Sequence, residues 1–313
     1  MSRRKSKKRI VNQEGLKGRQ PEIKANTHYK DTVFRMLFRD KEQLLGLYNA
    51  VSGRHYRNPE QLEIVTLEGA VYMGMKNDLT FLIDFELYLF EHQSTVNQNM
   101  PLRFLQYVAA EYSRLTIENN LYGGSLIRMP SPHFVVFYNG VEPFEEKREL
   151  RLSEAFVNRE EDPELELRVQ VLNINEGFNE GLKEQCCILG EYMQYVNKVR
   201  VYKEYLSIDQ AVDKAVDECI AENILREFLL RNKAEVKQVS IFEYNEEDTR
   251  RAIGEYQYAR GKADDVLLLL KRKGAVPADL EKEILEERDI EVLQNWLISA
   301  AEVKSIDEFM ERK

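Results

Sequence analysis

The residues of this chain best suited to chemistry are Asp78, Glu91 and Gln93. They flank two short apolar runs, Leu79 to Ile83 and Glu86 to Phe90, which meet at Asp84-Phe85. If Asp84-Phe85 is the turn of a hairpin, Ile83 pairs with Glu86, Leu82 with Leu87 and, counting outward, Asp78 faces Glu91. Directly opposed residues on neighbouring strands have Cβ atoms about 5 Å apart. Two carboxylates at that separation repel unless positive charge lies between them, and a hard divalent cation with oxygen ligands supplies it. Gln93, two residues beyond Glu91, points to the same face. The spacing therefore predicts a metal site at the open end of a hairpin; the bland alternative is a pair of salt-bridged strand ends. Phe85 is a poor tight-turn residue, since such turns favour Gly, Asn or Asp. A slip of one residue there would exchange the faces of the strand.

The elements that must hold these groups are legible around them. Leu82, Leu87 and Leu89 lie below Asp78, Glu91 and Gln93 on one face, and Leu79, Phe81, Ile83, Tyr88 and Phe90 form the other. Strands apolar on both faces belong in the middle of a layered α/β domain. A polar loop, Ser94 to Asn99, leads to Pro101, where a helix can start. Its first turns bring Arg103 and Tyr107 beside the strand end. Arg103 can hold a phosphate or a site carboxylate, or be a surface arginine. Upstream, Asn26-Thr27 can cap a helix starting near His28 with a break near Arg39-Asp40. Asp31 in its first turn either favours the helix dipole or is an accessory acidic residue at the mouth of the site. Further strands are expected around Leu62 to Thr66, His133 to Tyr138 and Leu165 to Leu172, with His133 structural rather than catalytic.

From about Asn179 strand signals vanish. Helices are expected over Leu182 to Val199, Asp209 to Leu230, Thr249 to Lys273, Leu280 to Leu285, Ile290 to Ala301 and Ser305 to Met310. The expected organisation is a basic tail over 1–25, an α/β core over 26–178 and an all-helical region over 179–313.

Composition bounds the alternatives. The 313 residues are 43% hydrophobic and 32% charged, with no apolar stretch long enough to span a bilayer and no signal-peptide core. Cys186, Cys187 and Cys219 lack metal-ligand spacing, which suits a reducing cytoplasm. The net charge of -9 is uneven: nine Lys or Arg against Glu14 and Glu22 give residues 1–24 a charge of +7, so the remainder carries -16. Such an arm can contact phosphates or stay solvated.

The order and spacing of Asp78 and Glu91-His92-Gln93 resemble the PD-(D/E)XK nuclease superfamily. More specifically, Tyr29-Lys30-Asp31-Thr32-Val33-Phe34-Arg35, Asn77-Asp78-Leu79, Phe90-Glu91-His92-Gln93-Ser94, Met100-Pro101-Leu102-Arg103-Phe104-Leu105-Gln106-Tyr107 and Val136-Phe137-Tyr138-Asn139-Gly140 resemble the Rpn family of recombination-promoting nucleases, often described as transposases. The likeness covers roughly residues 27–140, and Tyr258 to Ala263 resembles the family's tails more weakly. It implies a restriction-endonuclease-like core, a mixed central sheet flanked by helices. It implies Mg²⁺- or Mn²⁺-dependent hydrolysis of DNA phosphodiesters by Asp78, Glu91 and Gln93, with the metal on Asp78 and Glu91, Asp31 as accessory acid, and Arg103 and Tyr107 on the phosphate path. DNA is the expected partner, a homo-oligomer is possible, and no membrane is involved. Gln93 stands where many of the superfamily have lysine, and glutamine is the residue expected in the Rpn-like group. The hairpin between Asp78 and Glu91 is short for that group. The competing reading is a non-catalytic DNA- or protein-binding module on a nuclease-like scaffold.

Overall fold

The computed structural model describes residues 32–65, 78–117 and 121–313, apart from the side chains of residues 246, 247 and 250. The basic tail, the expected helix start at His28, Asp31 and the run into the hairpin at Tyr72 to Met75 lie outside the described residues. Two helices open the described chain. In α1 (Val33–Phe38) the N-cap Thr32 accepts the Arg35 N–H at 3.1 Å. In α2 (Lys41–Ser52) Asp40 Oδ1 accepts the N–H groups of Glu42 and Gln43 at 3.0 and 3.1 Å. The break expected at Arg39-Asp40 is therefore an N-cap, and it redirects the chain between two helical segments.

A mixed six-stranded sheet follows. Its strands are β1 (Glu63–Ile64), β2 (Leu79–Ile83), β3 (Glu86–Gln93), β4 (Ser131–Tyr138), β5 (Lys147–Arg151) and β6 (Arg168–Asn173), in the spatial order β1-β2-β3-β4-β6-β5. β2 and β3 form the antiparallel hairpin, β3, β4 and β6 run parallel, and β5 is antiparallel to β6. The parallel step from β3 to β4 needs a crossover, and α3 (Met100–Leu115) is that crossover. Gln93, Tyr138 and Asn173 lie in register, so three carboxyl ends open at one edge of the sheet. Ligands of open α/β sheets gather at such edges. β5 has no counterpart among the expected strands. It reads Lys-Arg-Glu-Leu-Arg with only Leu150 buried, which is how an edge strand is kept from pairing further.

Each face of the sheet has its own core. Leu79, Phe81, Ile83, Tyr88 and Phe90 pack on one face with residues of α1 and α2, and Leu87 and Leu89 pack on the other with Met100, Phe104 and Val108 of α3. The first core continues past residue 178 into Leu189, Tyr192, Val212 and Val236, so the early C-terminal helices share the apolar interior of the sheet.

The helical region differs in detail from expectation. Leu182 to Val199 is two helices, α4 (Glu180–Gln185) and α5 (Cys187–Lys203), separated where Cys186 leaves the helical basin at φ −119° and ψ 80°. α6 (Ile208–Ala221) ends well before Leu230, in a turn where Asn223 and Leu225 take left-handed φ values of 66° and 46°. α7 (Arg226–Lys271) then runs 46 residues through Gly254 and Gly261, with one non-helical residue at Asn232. Ladder hydrogen bonds on either side carry a helix past isolated glycines at a modest propensity cost. α8 (Ala278–Glu286), α9 (Ile290–Glu302) and α10 (Ile306–Arg312) share a further core with the end of α7, containing Leu270, Ile284, Trp296 and Phe309. Among the described residues no helix is long and apolar enough to cross a membrane.

Candidate metal and phosphate site

The hairpin has the expected register: Ile83 pairs with Glu86, Leu82 with Leu87 and Leu79 with Phe90. Asp84 and Phe85 both take positive φ, 45° and 63°, the signature of a two-residue turn whose twist matches that of the strands. Phe85 therefore occupies a conformation that favours glycine, with its ring in solvent. The register, not the turn propensity, prevails because a slip would carry Phe81 and Phe90 out of the first core.

One step beyond the paired residues, Asp78 and Glu91 meet. The Asp78 N–H donates to Glu91 Oε2 at 3.1 Å, and the His92 N–H donates to Asp78 Oδ2 at 2.8 Å. Each carboxylate thus has one oxygen fixed by the main chain of the opposite strand. Glu91 is only 3% exposed. Burial, with the Asp78 charge beside it, pushes the Glu91 carboxyl well above its ordinary range, while Arg103 and Arg35 pull it down.

α3 supplies the nearest cation. Pro101, with its preset φ, lies in the first turn, and Arg103 comes one turn into the helix. Arg103 Nη2 donates to Glu91 Oε1, completing an ion pair whose arginine side chain is 26% exposed. Tyr107, at the i+4 position, accepts from Arg103 Nη2 and Nε at 3.0 and 3.3 Å. Burial alone would lower the Arg103 pKa, but Glu91 and Tyr107 hold it above the ordinary arginine value. Burial also raises Tyr107, and Glu91 adds to that rise. Gln93 lies on the face of Glu91, and its Nε2 donates to Met100 Sδ at 2.8 Å. Asp78, Glu91, Gln93, Arg103 and Tyr107 are therefore brought together, whereas Asp31 lies outside the described residues.

The donor set suits a hard cation. Asp78 lies close enough for its charge to act on Glu91, and Mg²⁺ is commonly held by one or two carboxylates while keeping several waters. Among the described residues no group of three or more His, Cys, Asp or Glu is placed to hold a metal, so Asp78 and Glu91 alone would leave the remaining positions of such a cation to water.

Sequence reasoning misses some neighbours of the site. Arg35 is 7% exposed, and its charge favours ionised Glu91. It lies in the first turns of α1, and no local pattern in the sequence marks it as a neighbour of Glu91. His92 faces away from Glu91, stacks on Phe34 with centroids 4.9 Å apart and meets Tyr192 Oη at 3.0 Å through Nε2. Tyr192 in turn accepts from Asn139 Nδ2 at 3.3 Å, and Arg200 donates to the Asn139 carbonyl and, at 3.1 Å, to Asn175 Oδ1. This buried polar chain joins β3, β4 and α5 across about a hundred residues of sequence, which no local motif reveals. His133 stacks on Tyr88 with ring centroids 4.5 Å apart.

No protein-family model matches the chain, and comparisons with curated proteins and with solved structures give no significant match.

Proposed function

We propose that the chain is a metal-dependent DNA endonuclease hydrolysing phosphodiester bonds, with a restriction-endonuclease-like core and a recombination-promoting role like that of the Rpn nucleases it resembles. The observation that carries this reading is the meeting of Asp78 and Glu91 across the strand ends, with Arg103 and Tyr107 beside them. A bound Mg²⁺ or Mn²⁺ supplies Lewis acidity to the scissile phosphate and lowers the pKa of a bound water. Asp78 and Glu91 would hold that charge in place, and each is oriented by a main-chain N–H of the neighbouring strand. Gln93 offers a neutral amide that can orient a water or a phosphate oxygen. Arg103 offers a planar fork of donors to a phosphate, and Tyr107 fixes its plane.

The test is cleavage of duplex DNA in Mg²⁺ or Mn²⁺ by the full chain. Asp78→Ala and Glu91→Ala are each expected to lower the rate by more than about a hundredfold, since disturbing even the partners of metal ligands costs 10- to 100-fold. Equal cleavage by wild type and both variants would refute the site.

A second reading, a non-catalytic DNA- or protein-binding module, is favoured by the Arg103–Glu91 ion pair, which compensates Glu91 without a metal. Calorimetry with Mg²⁺ separates the two. Binding that depends on Asp78 and Glu91 supports the nuclease, and its absence supports the module.

A further inference from the structure

Glu91 has one oxygen on the main chain and one on a cation. Oε2 accepts the Asp78 N–H at 3.1 Å, and Oε1 takes the Arg103 guanidinium. A metal shared with Asp78 needs an oxygen of Glu91, and Oε1 is the one whose present partner can leave without unpairing the hairpin. Arg103 can leave it because the guanidinium is anchored independently. Tyr107 Oη accepts from it at 3.0 and 3.3 Å, and Met100 Sδ lies 3.4 Å from Nη1. Two cations on one carboxylate oxygen repel, and at a partly buried position that repulsion is weakly screened.

We propose that Arg103 is the resident counter-ion of Glu91 and that a divalent cation binds by displacing it, so that Arg103 sets the metal affinity of the site. The inference rests on reading Asp78 and Glu91 as metal ligands. Displacement leaves the guanidinium on Tyr107 at the mouth of the site, charged and facing the path a phosphate would take. The guanidinium thus balances Glu91 when no metal is bound, and the same side chain becomes a donor to the substrate once metal is present.

A merely structural Arg103 predicts the opposite sign. Removing a side chain that only orders Glu91 weakens metal binding, whereas removing a competitor strengthens it. The experiment measures Mn²⁺ binding to the full-length protein by the electron paramagnetic resonance signal of free Mn²⁺, with thermal unfolding recorded for each variant. Arg103→Gln is expected to bind Mn²⁺ roughly tenfold more tightly than wild type, about 1.4 kcal/mol, while cleaving DNA more slowly. Arg103→Lys, which keeps the charge but loses the bidentate fork, is expected to fall between them and serves if the glutamine variant does not fold. Asp78→Asn is expected to abolish binding. Equal or weaker Mn²⁺ binding by folded Arg103 variants, with Asp78-dependent binding in wild type, overturns this inference and leaves the nuclease reading standing. No Asp78-dependent binding in any form overturns both.

Discussion

Glu91 and His92 are neighbours on one strand, yet burial moves their proton equilibria in opposite directions. Glu91 is buried beside Asp78, so its pKa rises, although Arg103 and Arg35 oppose the rise. His92 is buried on the other face with the Arg200 charge nearby, so its neutral imidazole is favoured and its pKa falls to about 3. Because an unfolded histidine titrates near 6.5, the unfolded chain gains a proton at His92 as pH falls below that value and the folded chain does not. The stability due to neutral His92 is therefore complete above about pH 6.5 and is lost as pH falls toward about 3. Denaturant titrations of wild type and His92→Gln over pH 4 to 7 are expected to differ in slope, with wild type losing up to roughly 1.4 kcal/mol more per pH unit. Parallel curves would mean that His92 titrates normally in the fold. The Glu91 face is legible in the sequence through strand parity, because alternation places Glu91 and Gln93 together without any knowledge of packing. The environment of His92 is not, because Tyr192 and Arg200 reach it from a distant helix.

At the scale of elements, the hairpin is readable because two apolar runs of matched length flank a single two-residue gap, and the alternative register would bury the wrong face. Strain at Phe85 remains as a consequence. A non-glycine residue in the left-handed region costs about 1–2 kcal/mol, and Phe85 is 91% exposed, so its ring recovers little of that by packing. Phe85→Gly is therefore expected to raise unfolding free energy by about 1 kcal/mol, measured by denaturant titration, with DNA cleavage unchanged; a loss of stability would show that the ring has a partner. Gly140, where the chain leaves β4, is constrained by close approach. A Cβ there would collide with the Ser94 carbonyl oxygen and with Tyr138 Oη. Gly140→Ala must part the loops after β3 and β4, and a fall in stability of several kcal/mol is expected in thermal unfolding. A variant as stable as wild type would show that this junction yields freely. Other elements are hidden for identifiable reasons. β5 is charged because it is an edge, and the break at Cys186 lies inside an unbroken run of helix-compatible residues. The turn at Asn223 to Leu225 carries no glycine to announce its left-handed backbone.

Across the whole molecule, sheet and early helices share one apolar interior, and the end of α7 with α8 to α10 builds another. Charge is divided as well, with +7 in residues 1–24 and -16 in the rest. An acidic body repels DNA at long range, and only local positive charge offsets that repulsion. If the tail neutralises phosphates, deleting residues 1–24 is expected to weaken DNA binding and flatten its dependence on salt, by a slope of about 0.9 for each duplex phosphate that the deletion leaves without its cation. An unchanged slope would assign phosphate binding to the folded body, where Arg103 and Arg35 flank Glu91. The central claim is that Asp78 and Glu91 hold a divalent cation, and anomalous scattering from crystals soaked in Mn²⁺ tests it most directly. The account predicts a peak bridging the two carboxylates, with the Arg103 guanidinium withdrawn from Glu91 Oε1; a soaked crystal with no peak there, or with Arg103 still on Glu91 and metal bound elsewhere, would contradict it.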